Sequence, residues 1–219
     1  KIQHLAIIMD GNKRWSKIKK VSLKEGYLKG FYKIKEFVKV CIEENIKHLT
    51  LYALSSENTK RPSVSIIFDI LANEYAHFFE EYDFKNDVKI KIIGEKKGLP
   101  YNILNILSNI ENQTKENKKL NLNIAFNYGT NKELLSIIKN IIDIYKNKKI
   151  IIDDTLLQQQ MYLSNIPDPD LLIRTGGFQR LSNFLLFQLS YTELFFTKTL
   201  WPDITRKEII NIFDQYKTT

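Results

Sequence analysis

A chain of 219 residues with 43% hydrophobic and 26% charged residues can bury one sizeable core, and its balance excludes a disordered protein. Its one cysteine, Cys41, excludes an internal disulfide framework and fits a reducing compartment, and no apolar run approaches the ~20 residues that span a bilayer. The net charge of +8 would suit several anionic partners, but the lysines are scattered among asparagines and isoleucines, so no nucleic-acid stripe is expected.

The first predicted element is a strand, Leu5–Met9, which stops at Asp10. Residues from about Lys24 to Glu44 carry Leu28, Phe31, Ile34, Val38 and Cys41 at helical spacing. His48–Leu54 reads as a second strand and Val64–Glu81 as a helix with Ile67, Ile70, Leu71, Tyr75, Phe78 and Phe79 on one side. Val88–Ile93 is a third strand, followed by a helix from Pro100 to about Thr114. Alternation of Leu120, Leu122, Ile124 and Phe126 gives a fourth strand, and helices follow over about Lys132–Tyr145 and Thr155–Tyr162. Leu171–Ile173 is a fifth strand, and the apolar stretch Phe184–Phe196 suits helix or strand. Thr205 and Glu208 form a capping-box signature for a final helix. The pattern predicts a single α/β domain over residues 1–219 with a mostly parallel sheet.

The unusual residues fall after strands. Asp10, Gly11 and Asn12 follow the first, and Ser55, Ser56, Glu57 and Asn58 the second, with Arg61 just behind. Gly94 and Glu95 follow the third, Asn127 to Gly129 the fourth, and Arg174 to Gly177 the fifth. In a parallel sheet all these carboxyl ends share the edge where ligands bind. Asp10 reads either as a turn or capping residue or as a metal ligand. Asn12, Lys13 and Arg14 beside it suit a Mg²⁺–diphosphate, in which metal and cations share the phosphate oxygens. Arg174, Arg180 and Ser182 around a glycine pair make a second anion cradle, or a solvated loop with surface arginines. Glu193 is either a second metal ligand or a structural acid. The sequence lacks a G-x-x-x-x-G-K-[ST] loop, a G-x-G-x-x-G turn after the first strand, and zinc-type Cys/His spacing. The Phe-, Tyr-, Leu- and Ile-rich helices after the first two strands pack a core or line an apolar tunnel.

The segments HLAIIMDGNKRW, LYALSSENTKRP, IIGE, LNIAFNYG and IRTGGFQRLSNFLLFQLSYTELFFTKTLWPD resemble the cis-prenyltransferases, the undecaprenyl and dehydrodolichyl diphosphate synthases. The resemblance runs from His4 to about Asp203. It implies six mainly parallel strands flanked by helices, a hydrophobic tunnel and a homodimer. It also implies condensation of isopentenyl diphosphate onto an allylic diphosphate, such as farnesyl or geranylgeranyl diphosphate, to make a long-chain polyprenyl diphosphate. The trans-prenyl synthases need D-D-x-x-D, which Asp153 to Leu157 do not supply.

By the same resemblance, Asp10 is the essential Mg²⁺-linked acid and Asn58 handles the departing proton, with Ser55 nearby. Gly11, Asn12, Lys13, Arg14 and Arg61 contact the allylic diphosphate. Ser56, Glu57 and Tyr27 join the substrate-binding set, and Trp15 borders the tunnel. Arg174, Arg180, Leu181 and Ser182 match the isopentenyl diphosphate cradle, and Glu193 the second magnesium contact. Asp10, Arg61, Arg174 and Glu193 are thus expected around one hollow beside a greasy channel. The chain departs from the family pattern at several positions: Leu23 stands for a frequent arginine, Tyr27 for a common histidine and Thr59 for a usual aromatic. Phe178 and Gln179 stand at a position that usually begins with an acid, and no Arg-x-Gly follows Tyr216. A second reading, a non-catalytic partner subunit of a heteromeric synthase, draws on Leu23 and Tyr27. The retained Asp10, Asn58, Arg174, Arg180 and Glu193 oppose it. The expected location is the cytoplasm or the cytosolic face of a membrane, with peripheral association; a chain beginning at Lys1 leaves room for a targeting sequence ahead of it.

Overall fold

The computed structural model describes residues 1–59, 61–80 and 83–218. In chain order the elements are β1 (His4–Ile8), α1 (Asn12–Lys19), α2 (Leu23–Glu43), β2 (His48–Ser55), α3 (Ser63–Phe79), β3 (Val88–Ile93), α4 (Tyr101–Thr114), β4 (Leu120–Tyr128), α5 (Thr130–Asn147), α6 (Asp154–Gln160), β5 (Leu171–Arg174), β6 (Glu193–Phe196) and α7 (Arg206–Thr218). The helix end expected at Glu81 and the side chain of Phe79 lie outside the described residues. Single turns of other helix types cover Ser56–Asn58, Asp83–Asp87 and Trp201–Asp203.

The six strands form one sheet in the order β3-β4-β2-β1-β5-β6, and every pairing is parallel. Strand alternation divides the core in two. Leu5, Ile7, Leu49, Leu51, Leu122, Phe126 and Ile173 face the larger cluster, with α2, α4 and α7. Ala6, Ile8, Tyr52, Ala125, Tyr128 and Leu172 face the smaller one, which the 181–189 segment covers. The β2–β4 register shifts around Leu54, a bulge that turns both Ala53 and Leu54 toward the larger cluster.

Two sequence expectations change. Within Phe184–Phe196 only Glu193–Phe196 is a strand; Phe184, Leu185 and Leu189 are buried from a run of turns with left-handed φ at Ser182, Asn183 and Leu185. The capping box expected at Thr205 forms by half: Thr205 Oγ1 accepts from the Glu208 N–H at 3.2 Å, but the Glu208 carboxylate accepts instead from Thr197 Oγ1 at 2.7 Å. A complete box closes at Ser22 and Glu25, at the start of α2.

Candidate active site

The strand order makes β1 the turning point of the sheet, with β2 on one side and β5 on the other. A crevice at such a switch point is where open parallel sheets bind ligands. Here it lies between Asp10, just past β1, and Arg174, which pairs in register with Ile8.

The Asp10 backbone is fixed first. Its N–H donates to Thr175 Oγ1 at 3.0 Å, the Thr175 hydroxyl donates back to the Asp10 carbonyl at 2.7 Å, and the Trp201 N–H donates to the same carbonyl at 3.0 Å. The carboxylate then sits between two arginines, with Arg174 Nη2 at 3.0 Å and Arg14 Nη2 at 3.3 Å. Arg174 is only 3% exposed, and its other terminal nitrogen donates to the Arg180 carbonyl and, at 2.8 Å, to Ser182 Oγ. Two buried guanidinium nitrogens are left short of hydrogen bonds: Arg174 Nε has none, and Arg14 Nη2 has only its 3.3 Å ion pair with Asp10. Unsatisfied buried donors are costly, and a pair beside one carboxylate suits an anion with several oxygens. Gly176 permits the approach: its φ is +85°, and a Cβ there would stand 2.5 Å from Arg14 Nη2.

The rest of the rim is tied together across strands. Asn183 Nδ2 donates to Glu57 Oε1 at 2.7 Å, and its carbonyl accepts from the Thr130 N–H at 2.9 Å. The Tyr52 hydroxyl donates to the carbonyls of Ser182 and Tyr128 at 3.1 and 3.2 Å, and burial pushes its pKa up. The left-handed Ser182 and Asn183 are thus held by contacts from β2, the turn after it, β5 and α5.

Beside this rim opens an apolar cavity with about 950 Å³ of empty space, partly continuous with solvent. Met9, Asn12 and Tyr27 stand at the rim end, Ala53 and Phe126 on the sheet floor, and Ile110 toward β3.

The structure brings Asp10, Arg14, Arg174, Arg180 and Ser182 together, and places Asn12 and Tyr27 at the cavity mouth. Ser55 ends β2, and Ser56, Glu57, Asn58 and the exposed Arg61 lie just past it, on the same edge. Gly11 and Lys13 flank Asn12 at the start of α1. Three residues fall elsewhere. Glu193 starts β6 opposite Leu171, with Phe196 opposite Arg174, so it lies three residues, or ~10 Å, toward the amino edge. There it neighbours Asp168, Asp170 and Tyr216, and within one chain it does not converge with Asp10. Leu181 packs on the smaller core rather than in the cradle. Trp15 gives its Nε1–H to Asp203 at 2.7 Å, and it is Trp201 that lines the cavity. Sequence reasoning missed the clamp of Thr175 and Trp201 on Asp10, although Thr175 directly follows Arg174 in the quoted motif.

A parallel α/β sheet whose anion cradle opens onto an apolar cavity is the architecture of a prenyl-diphosphate enzyme, and comparison with known proteins agrees. Residues 8–219 match the family model described as "Putative undecaprenyl diphosphate synthase". The isoprenyl transferase of Aquifex aeolicus is 40% identical over 216 residues, covering 98% of this chain and 92% of the relative. That of Thermotoga maritima is 40% identical over 217 residues, covering 98% and 93%. Among solved structures, lavandulyl diphosphate synthase from Lavandula x intermedia, in complex with dimethylallyl diphosphate, superposes with a TM-score of 0.90 at 29% identity, covering 100% of this chain and 96% of that one. A probable undecaprenyl diphosphate synthase from Campylobacter jejuni has a TM-score of 0.83 at 32% identity with the same coverage. The chain belongs to the undecaprenyl diphosphate synthase family; it is a prenyltransferase of the cis-elongating kind.

Proposed function

We propose that the protein condenses isopentenyl diphosphate onto an allylic diphosphate, farnesyl or geranylgeranyl diphosphate, in a Mg²⁺-dependent reaction repeated to a long polyprenyl chain. The observation that carries this reading is the adjacency of Asp10, with its two arginines and their spare guanidinium donors, to an apolar cavity that opens beside them. A charged head and a growing hydrocarbon tail need those two environments side by side.

The donor set fits a metal carried on the substrate. Among the described residues, no group of three His, Cys, Asp or Glu side chains could cage a cation. Mg²⁺ is commonly held by one or two carboxylates plus phosphate oxygens, and Asp10 is one carboxylate set among phosphate-binding cations. When bound, Mg²⁺ supplies charge neutralisation on the departing diphosphate. The chain's own residues do the rest. Arg14 and Arg174 present forked donors to the same oxygens, stabilising cleavage of the allylic C–O bond. Arg180 and Ser182 hold the second diphosphate, so that the isopentenyl double bond lies against the allylic carbon. Asn58, on the same edge, takes part in removing the proton that completes the cis alkene. The Ile, Leu and Phe walls receive the lengthening tail and exclude water.

The reading extends to a homodimer. On α5, Leu135, Ile138, Ile142 and Tyr145 are all more than 40% exposed and share one stripe, and Leu186, Phe187, Tyr191 and Leu194 are also exposed. Apolar patches of this kind favour a protein partner. No helix among the described residues is long and apolar enough to cross a membrane. Work in the cytoplasm or at its membrane face, with product handed to lipid, suits a cavity of this chemistry. The non-catalytic-subunit reading finds no supporting feature at the intact Asp10–Arg174 rim.

Purified protein with Mg²⁺, farnesyl diphosphate and labelled isopentenyl diphosphate is expected to form labelled polyprenyl product. Asp10→Ala is expected to lower the rate by about 10³-fold, the scale for losing one preorganised charge interaction. Turnover by that variant at the parent rate would overturn the site.

A further inference from the structure

Phe178 is the one aromatic in the cradle loop, and three cations surround its ring. The guanidinium carbons of Arg180, Arg14 and Arg174 lie 4.2, 4.8 and 5.9 Å from its centroid. These arginines come from three places: the loop itself, α1 and the end of β5. The backbone aims the ring at them. Gly176 and Gly177 both have left-handed φ, +85° and +80°, and their N–H groups donate to the carbonyls of Thr199 and Thr197, each at 2.8 Å. Two consecutive left-handed glycines, pinned in this way, fold the loop back over Arg174.

Three guanidinium charges gather at one ring and only Asp10, paired with Arg14 and Arg174, is shown to offset them, so the cluster carries excess positive charge and repels itself. An aromatic face attracts each guanidinium and offsets part of that repulsion. The geometry also separates two uses of the same group. A guanidinium lays its flat face on the ring and keeps its N–H edge for oxygens. Arg174 Nε makes no hydrogen bond, and Arg14 Nη2 makes only its 3.3 Å ion pair with Asp10, so both have donor capacity left for an incoming anion.

We propose that Phe178 is a positioning residue: its ring holds the three arginines by their faces, so that their donors converge before a diphosphate arrives. This rests on the reading of the rim as a diphosphate site, and it assigns the ring a role in binding rather than in the chemical step. Because Phe178 is 42% exposed, replacing it leaves the core intact.

The test is calorimetric binding of inorganic pyrophosphate to the whole protein, with the parent, Phe178→Leu, Phe178→Tyr and Arg174→Ala compared. Leucine keeps the bulk and loses the π face. It is expected to weaken pyrophosphate about tenfold, the sum of two or three partly exposed cation–π contacts. Tyrosine is expected to restore binding to within about twofold of the parent, since it keeps the face. In turnover, Phe178→Leu should raise KM for isopentenyl diphosphate while kcat moves little, a split that loss of folding would not give. If Phe178→Leu binds pyrophosphate like the parent while Arg174→Ala loses it, the cradle stands and the role of the ring is refuted. Failure of tyrosine to rescue refutes it equally. If Arg174→Ala binds pyrophosphate as tightly as the parent, the diphosphate reading falls, and this proposal with it.

Discussion

On one face of the sheet Ile90, Ile92, Leu122, Ile124 and Phe126 look into empty space. On the other, Tyr52 stacks on Phe184 at 4.5 Å, and Tyr128 meets both rings edge-on at 6.1 Å. The second face is also threaded by polar bonds. The Tyr128 hydroxyl donates to the buried Glu133 carboxylate at 2.5 Å, and burial raises the pKa of that acid although the hydrogen bonds it accepts lower it. His4 Nε2 accepts from the Thr50 hydroxyl at 2.7 Å, and Asn123 Nδ2 donates to Thr50 at 3.0 Å. The contrast has a physical source. Hydrogen-bonded groups tolerate no gap, because each lost partner leaves a desolvated polar atom. An aliphatic wall beside a void loses only dispersion contacts, so a hole survives there and stays ready for a hydrocarbon.

Truncation on the two faces should therefore cost different amounts. Phe184→Ala, on the packed face, is expected to destabilise by about 3–5 kcal/mol, against about 2 kcal/mol or less for Ile67→Ala on the cavity wall. Urea denaturation of both variants checks this, and equal losses would break the contrast.

The next effect is in pH. Burial, the largest cause, lowers the pKa of His4 to about 4. Its Nδ1–H donates to the Pro167 carbonyl at 2.6 Å, so a second proton on Nε2 would oppose the Thr50 hydroxyl. The unfolded chain takes up this proton before the folded one does. Stability from this group is thus full above pH 6.5 and drains as pH falls toward 4, by about 3 kcal/mol in all. Denaturation midpoints of the parent and His4→Gln should converge over that window; a constant gap would contradict the assignment. The smallest effect is at the start of α2, the helix whose Tyr27, Phe31 and Ile34 line the cavity. Ser22→Ala removes the cap of α2 and is expected to cost about 1 kcal/mol in thermal unfolding, with turnover preserved.

The elements that face these two cores were legible because burial on a sheet or along a helix leaves a period. β3 has the predicted bounds, Val88–Ile93, and β1, β2 and α4 fall within a residue or so of theirs. Where no period existed, nothing could be read. α1 starts at Asn12 with no side-chain cap and no acid in its first turn, and its Ile18 is 69% exposed, so the segment read as a loop of charges. The turns over 181–189 bury Phe184 and Leu185 through bonds from Thr130 and Tyr52, which are far away in sequence. The candidate site divides in the same way. Asp10 and Arg174 were legible because each stands at the carboxyl end of a strand, Asp10 just past β1 and Arg174 closing β5, and parallel strands share an edge. Glu193 was misplaced because the sequence does not reveal whether a residue opens or closes a four-residue strand; register does. The Thr175 clamp was hidden, since nothing local distinguishes a threonine that holds a neighbouring strand's backbone.

On the proposed reading, the void beside Asp10 houses the growing tail. Ala53, turned into that void by the β2 bulge, is the place to fill it. The most direct measurement is the product-length distribution from farnesyl diphosphate and isopentenyl diphosphate, made by the parent and by a folded Ala53→Phe. A channel predicts that the variant still starts chains and releases markedly shorter ones. Products of unchanged length, from a variant whose phenyl ring occupies the cavity, would contradict it.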